Sequence, residues 1–282
     1  MLRLLLALIR RTPLAVLHAS ARPLACVAMR VVRYRRRVAE ANLAAAFPAL
    51  SRRARMCLLR AAYRNLVTVV LETLKTDGLT DAQLDSHVRL VNVGILDRFA
   101  AAGQSIILLG AHEANWEWVF LACSRRLEFA VDLVYKPLHD AVIDELMRRT
   151  RARFGARLIP SGGDVFKELI AGGTRLRAIG LQVDQRPGAG SESRSFRFLN
   201  RDTPFLVGFE KLARYWQYPV VFVGRHRTAC GRYEVAFEVL GEPPYAAADF
   251  ELTRRYVERL ERSVLENPAD WLWTHDRWRG AR

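Results

Sequence analysis

The residues that most constrain the fold are Ile106, Ile107, Leu108 and Leu109, a short unbroken apolar run that ends at Gly110. A run of that length without polar alternation reads as a strand covered on both faces, the kind found in mixed or parallel sheets of α/β proteins. Gly110 then lets the backbone turn. From Asn115 onward the spacing of Trp116, Val119, Phe120 and Cys123 is helical, which puts His112 in the strand-to-helix turn and Glu117 in the first helical turn. Open α/β sheets bind ligands at that rim. Two residues five apart on a regular helix point about 140° away from each other, so His112 must sit ahead of the helix if its ring is to meet the Glu117 carboxylate.

A neutral imidazole takes a proton from an alcohol, and a carboxylate behind it fixes the tautomer and stabilises the imidazolium that forms. His112 as base and Glu117 as its orienter have that chemistry. The acceptor's own hydroxyl attacks, so no Ser or Cys nucleophile is needed. His112 and Glu113 begin the zinc-protease pattern H-E-x-x-H, but its fifth position is Trp116, so no metal site is read here and no cofactor is expected. In this His112/Glu117 spacing the chain resembles the H-x4-D/E glycerolipid acyltransferases. More closely it resembles the late acyltransferases of lipid A biosynthesis, which transfer acyl chains from acyl carrier protein to a glycolipid.

Other segments carry the same resemblance. Asn42, Leu43, Ala46, Phe47 and Pro48, followed by Leu50 and Ser51, are similar to the family's N-L-x-x-A-F-P-x-L-S. Tyr135, Lys136 and Pro137 look like its V-Y-R/K-P, and Arg151 to Gly155 match its R-x-R-F-G, in which the first arginine is functionally required. The resemblance gives that role to Arg151; a guanidinium fork suits a developing oxyanion or a substrate phosphate better than an ammonium does. Asp184 and Gln185 follow an apolar strand over 178–183 and stand on the His112 rim if the strands are parallel. There the family has P-D-x-D-x-G or D-Q-x-x-G, whereas this chain has Val183 for the proline and Arg186 at the second acidic position. Phe196, Phe198, Thr203 and Pro204 resemble F-x-x-F-x-G-x-x-x-T-P with Asn200 in place of glycine. Trp271, Trp273, His275, Arg277 and Trp278 resemble the closing W-L-W-x-H-x-R-W/F-K. The resemblance implies His112, Glu117, Arg151 and Asp184 as catalytic residues and Asn115, Lys136, Arg153 and Gln185 as substrate contacts.

With 282 residues, 51% hydrophobic and 26% charged, the chain has an ordinary globular composition, and no linker or repeat divides it. Cys26, Cys57, Cys123 and Cys230 match neither a metal spacing nor a redox pair and fit a reducing compartment. The balance of 44 Lys and Arg against 29 Asp and Glu, a net +15, favours an anionic partner. Residues 1–37 are expected to form an amphipathic membrane-associating segment and residues 38–282 a single acyltransferase domain. Arg3, Arg10, Arg11, Arg22 and Arg30, with Pro13 and Pro23 as further breaks, leave no apolar stretch of the roughly 20 residues that a spanning helix needs. Arg3 and Arg10 fall on one helical face with leucines opposite, as on an interfacial helix. The alternative is a helix docked on the core.

Of the remaining elements, Ser51 is expected to cap a long helix, Asp140 and Asp164 to cap two more, and 130–135 and 156–159 to be strands. Thr203 and Pro204 read as the N-cap and first turn of a helix reaching Tyr218. Strands follow over 219–224 and 232–240, then a long helix from about Asp249. The glycines at 188 and 190 suggest a loop that gates the cleft; it is not a P-loop, since no G-K-S/T follows. The tryptophans near the end suit an interfacial belt, nucleic-acid stacking or, more commonly, buried packing, and His275 reads as structural.

The resulting expectation is an α/β protein with a mixed, largely parallel central sheet flanked by helices. Its expected activity is transfer of a fatty acyl chain from an acyl thioester, acyl carrier protein or acyl-CoA, to a hydroxyl of a lipid A precursor or similar glycolipid. The place expected is the cytoplasmic face of the bacterial inner membrane, peripheral or monotopic, against an anionic lipid surface and without nucleic acid. Within the class the rival acceptors are lysophosphatidic acid, an ornithine lipid or a mannosylated phosphatidylinositol. Outside it the rival is a basic, non-enzymatic protein that binds membranes or nucleic acid, which accounts for the charge but not for a His-Glu pair beside a buried strand.

Overall fold

Alternation along one strand sorts the interior into two layers. In β2 (Ile106–Gly110), Ile107 and Leu109 enter one core and Ile106 and Leu108 the other, and all four are buried. The computed structural model describes residues 2–188, 190–245 and 250–279, with side chains from residue 4 onward. The Arg3 side chain, Ala189 in the glycine loop and Asp249 lie outside the described residues.

The other strands are β1 (Val88–Leu90), β3 (Ala130–Tyr135), β4 (Arg157–Pro160), β5 (Arg177–Gln182), β6 (Ser193–Phe198), β7 (Arg201–Leu206), β8 (Val220–Ala229) and β9 (Arg232–Gly241). Among the described residues seven of them form one sheet in the order β1-β9-β8-β2-β5-β3-β4, parallel throughout except for the β8/β9 pair. The expected mixed, largely parallel α/β sheet is present, with β2 and β5 side by side at its centre.

Ahead of the sheet lie α1 (Leu2–Arg11), α2 (Leu14–Arg30), α3 (Arg36–Ala46), α4 (Arg52–Lys75) and α5 (Asp81–His87). Between and after the strands come α6 (Gly94–Ala101), α7 (Trp116–Arg126), α8 (Ala141–Arg151), α9 (Val165–Ala171), α10 (Gly208–Trp216) and α11 (Glu251–Glu266). The expected caps are in place. Ser51 Oγ accepts from Ala54 N at 3.2 Å, Asp140 from Val142 N and Ile143 N at 3.0 Å, and Asp164 from Lys167 N at 3.0 Å. One expected helix start is wrong. Thr203 and Pro204 lie in β7, the second strand of a hairpin with β6, and the helix begins only at Gly208. Phe205 and Phe198 carry the hairpin into the core, and Trp278 Nε1 donates to Thr203 Oγ1 at 2.8 Å, so tertiary packing overrides the local T-P signal. The closing tryptophans are core residues: Trp271, Trp273 and Trp278 are each under 5% exposed, which rules out a lipid-facing belt.

Pro23 does not break the N-terminal region. It lies inside α2, which continues to Arg30 because Leu17, Ala21, Ala25 and Met29, four residues apart, are buried and hold it along α4. On the outer side Leu4, Leu5, Leu8, Val16, Val27, Val31 and Val32 are exposed. Among the described residues no helix is long and apolar enough to cross a membrane.

A fully buried carboxylate, Glu72 of α4, joins these N-terminal helices to the sheet. His18 Nε2 of α2 donates to its Oε1 at 2.8 Å, and Asn115 Nδ2 and the Tyr233 hydroxyl donate to its Oε2 at 2.8 and 2.5 Å. Removing the acceptor strands three polar groups in a dry site, and each unsatisfied group costs roughly 1–3 kcal/mol. Glu72→Ala is therefore expected to lose roughly 3 kcal/mol or more of unfolding free energy, read from the urea midpoint at unchanged slope. A loss below about 1 kcal/mol contradicts the linking role.

Candidate active site

β2 and β5 pair in parallel, with Gly110 opposite Gln182. His112 follows the end of β2 by two residues and Asp184 follows the end of β5 by two, so the register continued past the strands sets them face to face. Their contact is double: His112 Nδ1 lies 2.7 Å from Asp184 Oδ1, and the His112 backbone N–H donates to Oδ2 at 3.0 Å. A buried carboxylate beside Nδ1 selects the Nδ1–H tautomer, leaving Nε2 as the acceptor. Gln185 Nε2 lies 3.1 Å from that Nε2, and Trp116 sets its ring edge-on to the imidazole with centroids 5.3 Å apart. Burial alone would push the Asp184 carboxyl up, but the facing His112 ring and the donated hydrogen bonds hold it at about 2.

Glu117 is not the orienter of His112. Both of its oxygens face Arg151, which donates from Nε at 2.9 Å and from Nη2 at 2.6 Å, and Trp116 Nε1 donates to Oε1 at 3.0 Å. The reason is positional: the first turn of α7 turns toward the last turn of α8, whereas the neighbour of the His112 turn is the end of β5. Burial works against the Arg151 charge, and the Glu117 carboxylate outweighs it and raises the guanidinium above its ordinary value. The Arg151 guanidinium carbon also lies 5.7 Å from the centre of the Tyr135 ring.

The other expected site residues divide. Gln185 is at the imidazole, and Lys136 is exposed one residue past β3, on the same rim as His112. Asn115 is fully buried; its Oδ1 caps α7 by accepting from Trp118 N at 3.0 Å, and its amide goes to Glu72, so it has no edge for a substrate. Arg153 is likewise spent on the scaffold, donating to Thr76 O, Leu79 O and Asp81 Oδ1 at 3.3, 2.8 and 2.5 Å.

Three contributors escaped sequence reasoning. The first is Arg225, buried at the sixth residue of β8, whose Nη1 donates to the Ala111 carbonyl. Its guanidinium fills the space where a side chain on Gly110 would begin, which is why glycine stands at that strand end. The available signal was a charge directly after the apolar run Val220 to Val223 and Gly224, where the strand was expected to end. The second is the chain end. Leu272 N donates to His112 O at 3.1 Å, Ala114 N donates to Asp270 O at 3.0 Å, and Trp271 Nε1 donates to Asp184 Oδ2 at 3.1 Å. These bonds hold the turn although Ala114 has a φ of 48°, a region that non-glycine residues seldom occupy. The third is Glu113, buried beneath the turn and bonded to Ser263 Oγ at 3.1 Å.

With this geometry in view, the family comparison is decisive: the profile described as bacterial lipid A biosynthesis acyltransferase matches residues 2–280. The chain belongs to that family. Membership makes the protein an acyltransferase with a lipid A-type acceptor and a need for an acyl donor. No curated protein matches the chain closely enough to count as a relative.

Glu113 gives the site a pH signature. Burial pushes its carboxyl up to about 8, against the pull of the Arg225 guanidinium. A carboxyl whose folded pKa exceeds the unfolded value of about 4.3 stabilises fully below that value, and the contribution is lost as pH rises toward the folded one. Asp184 acts in the opposite sense and in another window: its contribution is present above about 3.9 and lost as pH falls through about 2. Glu113→Gln should therefore flatten the fall in stability from about pH 5 to about pH 8 and be the more stable protein at the upper end, by at least about 1 kcal/mol. Parallel stability curves for parent and variant across that window would falsify the assignment.

Proposed function

We propose that this acyltransferase transfers a fatty acyl chain from an acyl thioester directly to a hydroxyl of a lipid A precursor or similar glycolipid, with His112 as general base. The observation that carries the reading is the buried Asp184 carboxylate on Nδ1 of His112, which leaves Nε2 as the basic nitrogen, where the acceptor hydroxyl takes the place of the Gln185 amide. Nε2 takes the hydroxyl proton as the alkoxide oxygen attacks the thioester carbonyl. The tetrahedral intermediate then collapses, the C–S bond breaks, and the imidazolium returns the proton to the leaving thiolate. Asp184 offsets the imidazolium charge. Arg151, held in one orientation by Glu117 through Nε and Nη2, keeps Nη1 outside that pair as a donor to the oxyanion or to a substrate phosphate. Gln185 and Lys136 contact substrate on the rim.

The protein supplies no nucleophile of its own in this scheme. Cys123 is buried, and burial pushes its thiol up to about 12; Ser105 precedes β2, at the opposite end of the strand from His112. The donor is acyl carrier protein, with acyl-CoA as its alternative. A groove of about 550 Å³ between α1 and α8 supports a lipid substrate, since Leu6, Leu74, Val142 and Leu146 line it together with Arg10 and Arg149. The exposed leucines of α1 lie against the bilayer on the cytoplasmic side, and the nearby arginines each add roughly 1 kcal/mol of attraction to anionic lipid.

A panel of glycolipid and glycerolipid acceptors with both donors tests the substrate class; activity confined to lysophosphatidic acid, an ornithine lipid or a mannosylated phosphatidylinositol transfers the reading to that acceptor. His112→Ala and Asp184→Asn should each lose about 10²- to 10⁴-fold in rate in protein that still folds, with a lower melting temperature because each leaves a buried polar group without its partner. Glu117→Gln and Arg151→Lys should not be additive with each other, because they disable one unit. An acyl adduct trapped on any side chain in the absence of acceptor refutes direct transfer.

Membrane docking has its own test. The triple variant Leu4→Glu, Leu5→Glu, Leu8→Glu alters exposed positions, so it should fold normally yet stay in the supernatant when phosphatidylglycerol vesicles are sedimented. Sedimentation equal to the parent's removes α1 as the docking face.

A further inference from the structure

We infer that Trp271 is a positioning residue for the His112–Asp184 pair, acting through its indole N–H on the carboxylate oxygen that does not face the imidazole. The Asp184 carboxylate has three donors among the described residues. His112 supplies two, Nδ1 to Oδ1 and its backbone N–H to Oδ2, and Trp271 Nε1 supplies the third, to Oδ2 at 3.1 Å. The two bonds from His112 engage both oxygens but come from one side of the carboxylate, and both move with the His112 turn. The indole holds Oδ2 from a second element, and its donated hydrogen bond favours the ionised form of this buried carboxylate.

Trp271 is itself fixed. It is buried, its ring stands edge-on to Trp273 and Phe198 at centroid distances of 4.7 and 5.8 Å, and its backbone bridges to Glu113. Leu272 N on the His112 carbonyl and Ala114 N on the Asp270 carbonyl flank that bridge, so the segment that aims the indole also holds the turn that carries the imidazole. One short piece of chain thus sets both partners of the pair in one frame. The other titratable groups around Asp184 are Glu113, Arg225 of β8, Tyr256 of α11, His275 and Arg277, and their nearest bonds go elsewhere. Arg225 donates to Ala111 O, Tyr256 to Gly110 O, Ser263 to Glu113, and Arg277 to Pro204 O, while His275 Nε2 accepts from Arg186 N. Burial pulls His275 down to about 4, so it stays uncharged at neutral pH and adds no competing cation.

The test is Trp271→Phe, which keeps an aromatic ring in the tryptophan cluster and removes one N–H. Its first readout does not depend on activity: the ¹³Cγ titration of Asp184 in aspartate-labelled protein, with the resonance assigned by its loss in Asp184→Asn. The midpoint should move to higher pH in the variant, because the carboxylate has lost a donor that favoured its charged form. The second readout rests on the acyl-transfer reading. There kcat should fall about tenfold, as for one charge-assisted hydrogen bond, with KM unchanged and with the acidic limb of the pH profile displaced upward. If Trp271→Phe does not fold, 3-benzothienylalanine at position 271 keeps the bicyclic shape without the N–H. An unmoved Asp184 midpoint in a folded variant overturns the inference. So does a rate loss whose pH profile matches the parent's, which is the mark of mere packing. If the parent transfers no acyl group to any acceptor, the proposed function fails, while the Asp184 titration still decides the role of Trp271.

Discussion

The site depends on the in-register parallel pairing of β2 with β5. Five consecutive residue pairs, ending with Gly110 opposite Gln182, bring two strand ends to the same height, and the next two residues of each chain deliver an imidazole and a carboxylate to one point. Because side chains alternate across a sheet, a slip of one residue would turn Asp184 away from His112 and exchange the residues of β5 between the two cores. The hydrophobic sorting of β5 and the contact at its end are therefore fixed together. Burial makes the contact strong: a carboxylate that loses its water must find donors, and the nearest are the ring and backbone of His112.

Around that pair the scaffold spends charge generously. Glu72 collects donors from α2, from the cap of α7 and from β9, while Glu117 and Arg151 tie α7 to α8. These are buried or nearly buried groups whose value lies in direction more than in net stability, since an ion pair taken out of water recovers little beyond its desolvation cost. The N-terminal helices share in this arrangement. α2 is held along α4 by Leu17, Ala21, Ala25 and Met29 and by His18, so α2 is seated on the same buried acid as the helix that carries Glu117.

Much of this was legible in the chain. The run at 106–109, the glycine after it and the helical spacing from Trp116 gave the central strand, its turn and α7, because a two-sided burial requirement leaves few alternatives for so short an apolar run. Ser51, Asp140 and Asp164 announced their helices through cap chemistry, which is local. What stayed hidden was set by contacts distant in sequence. The partner of His112 lies 72 residues away, and only strand order decides between it and Glu117. The β6/β7 hairpin hid behind Thr203 and Pro204, whose helix-starting chemistry is outweighed by the seating of Phe198 and Phe205. Asn115 and Arg153 matched motif positions, yet their polar edges are consumed inside the protein.

Gly110 and Arg225 carry a consequence for how such a chain can vary. The guanidinium occupies the volume in which any side chain at 110 would begin, and it bonds the carbonyl of the very next residue, one step before the imidazole. Neither position is therefore free to drift alone: a larger residue at 110 collides with a buried charge, and a smaller residue at 225 leaves a hole and an unsatisfied carbonyl. The two sites form an epistatic pair, and passage to a different solution requires both to change in one step or to cross a genotype whose His112 turn is unsupported.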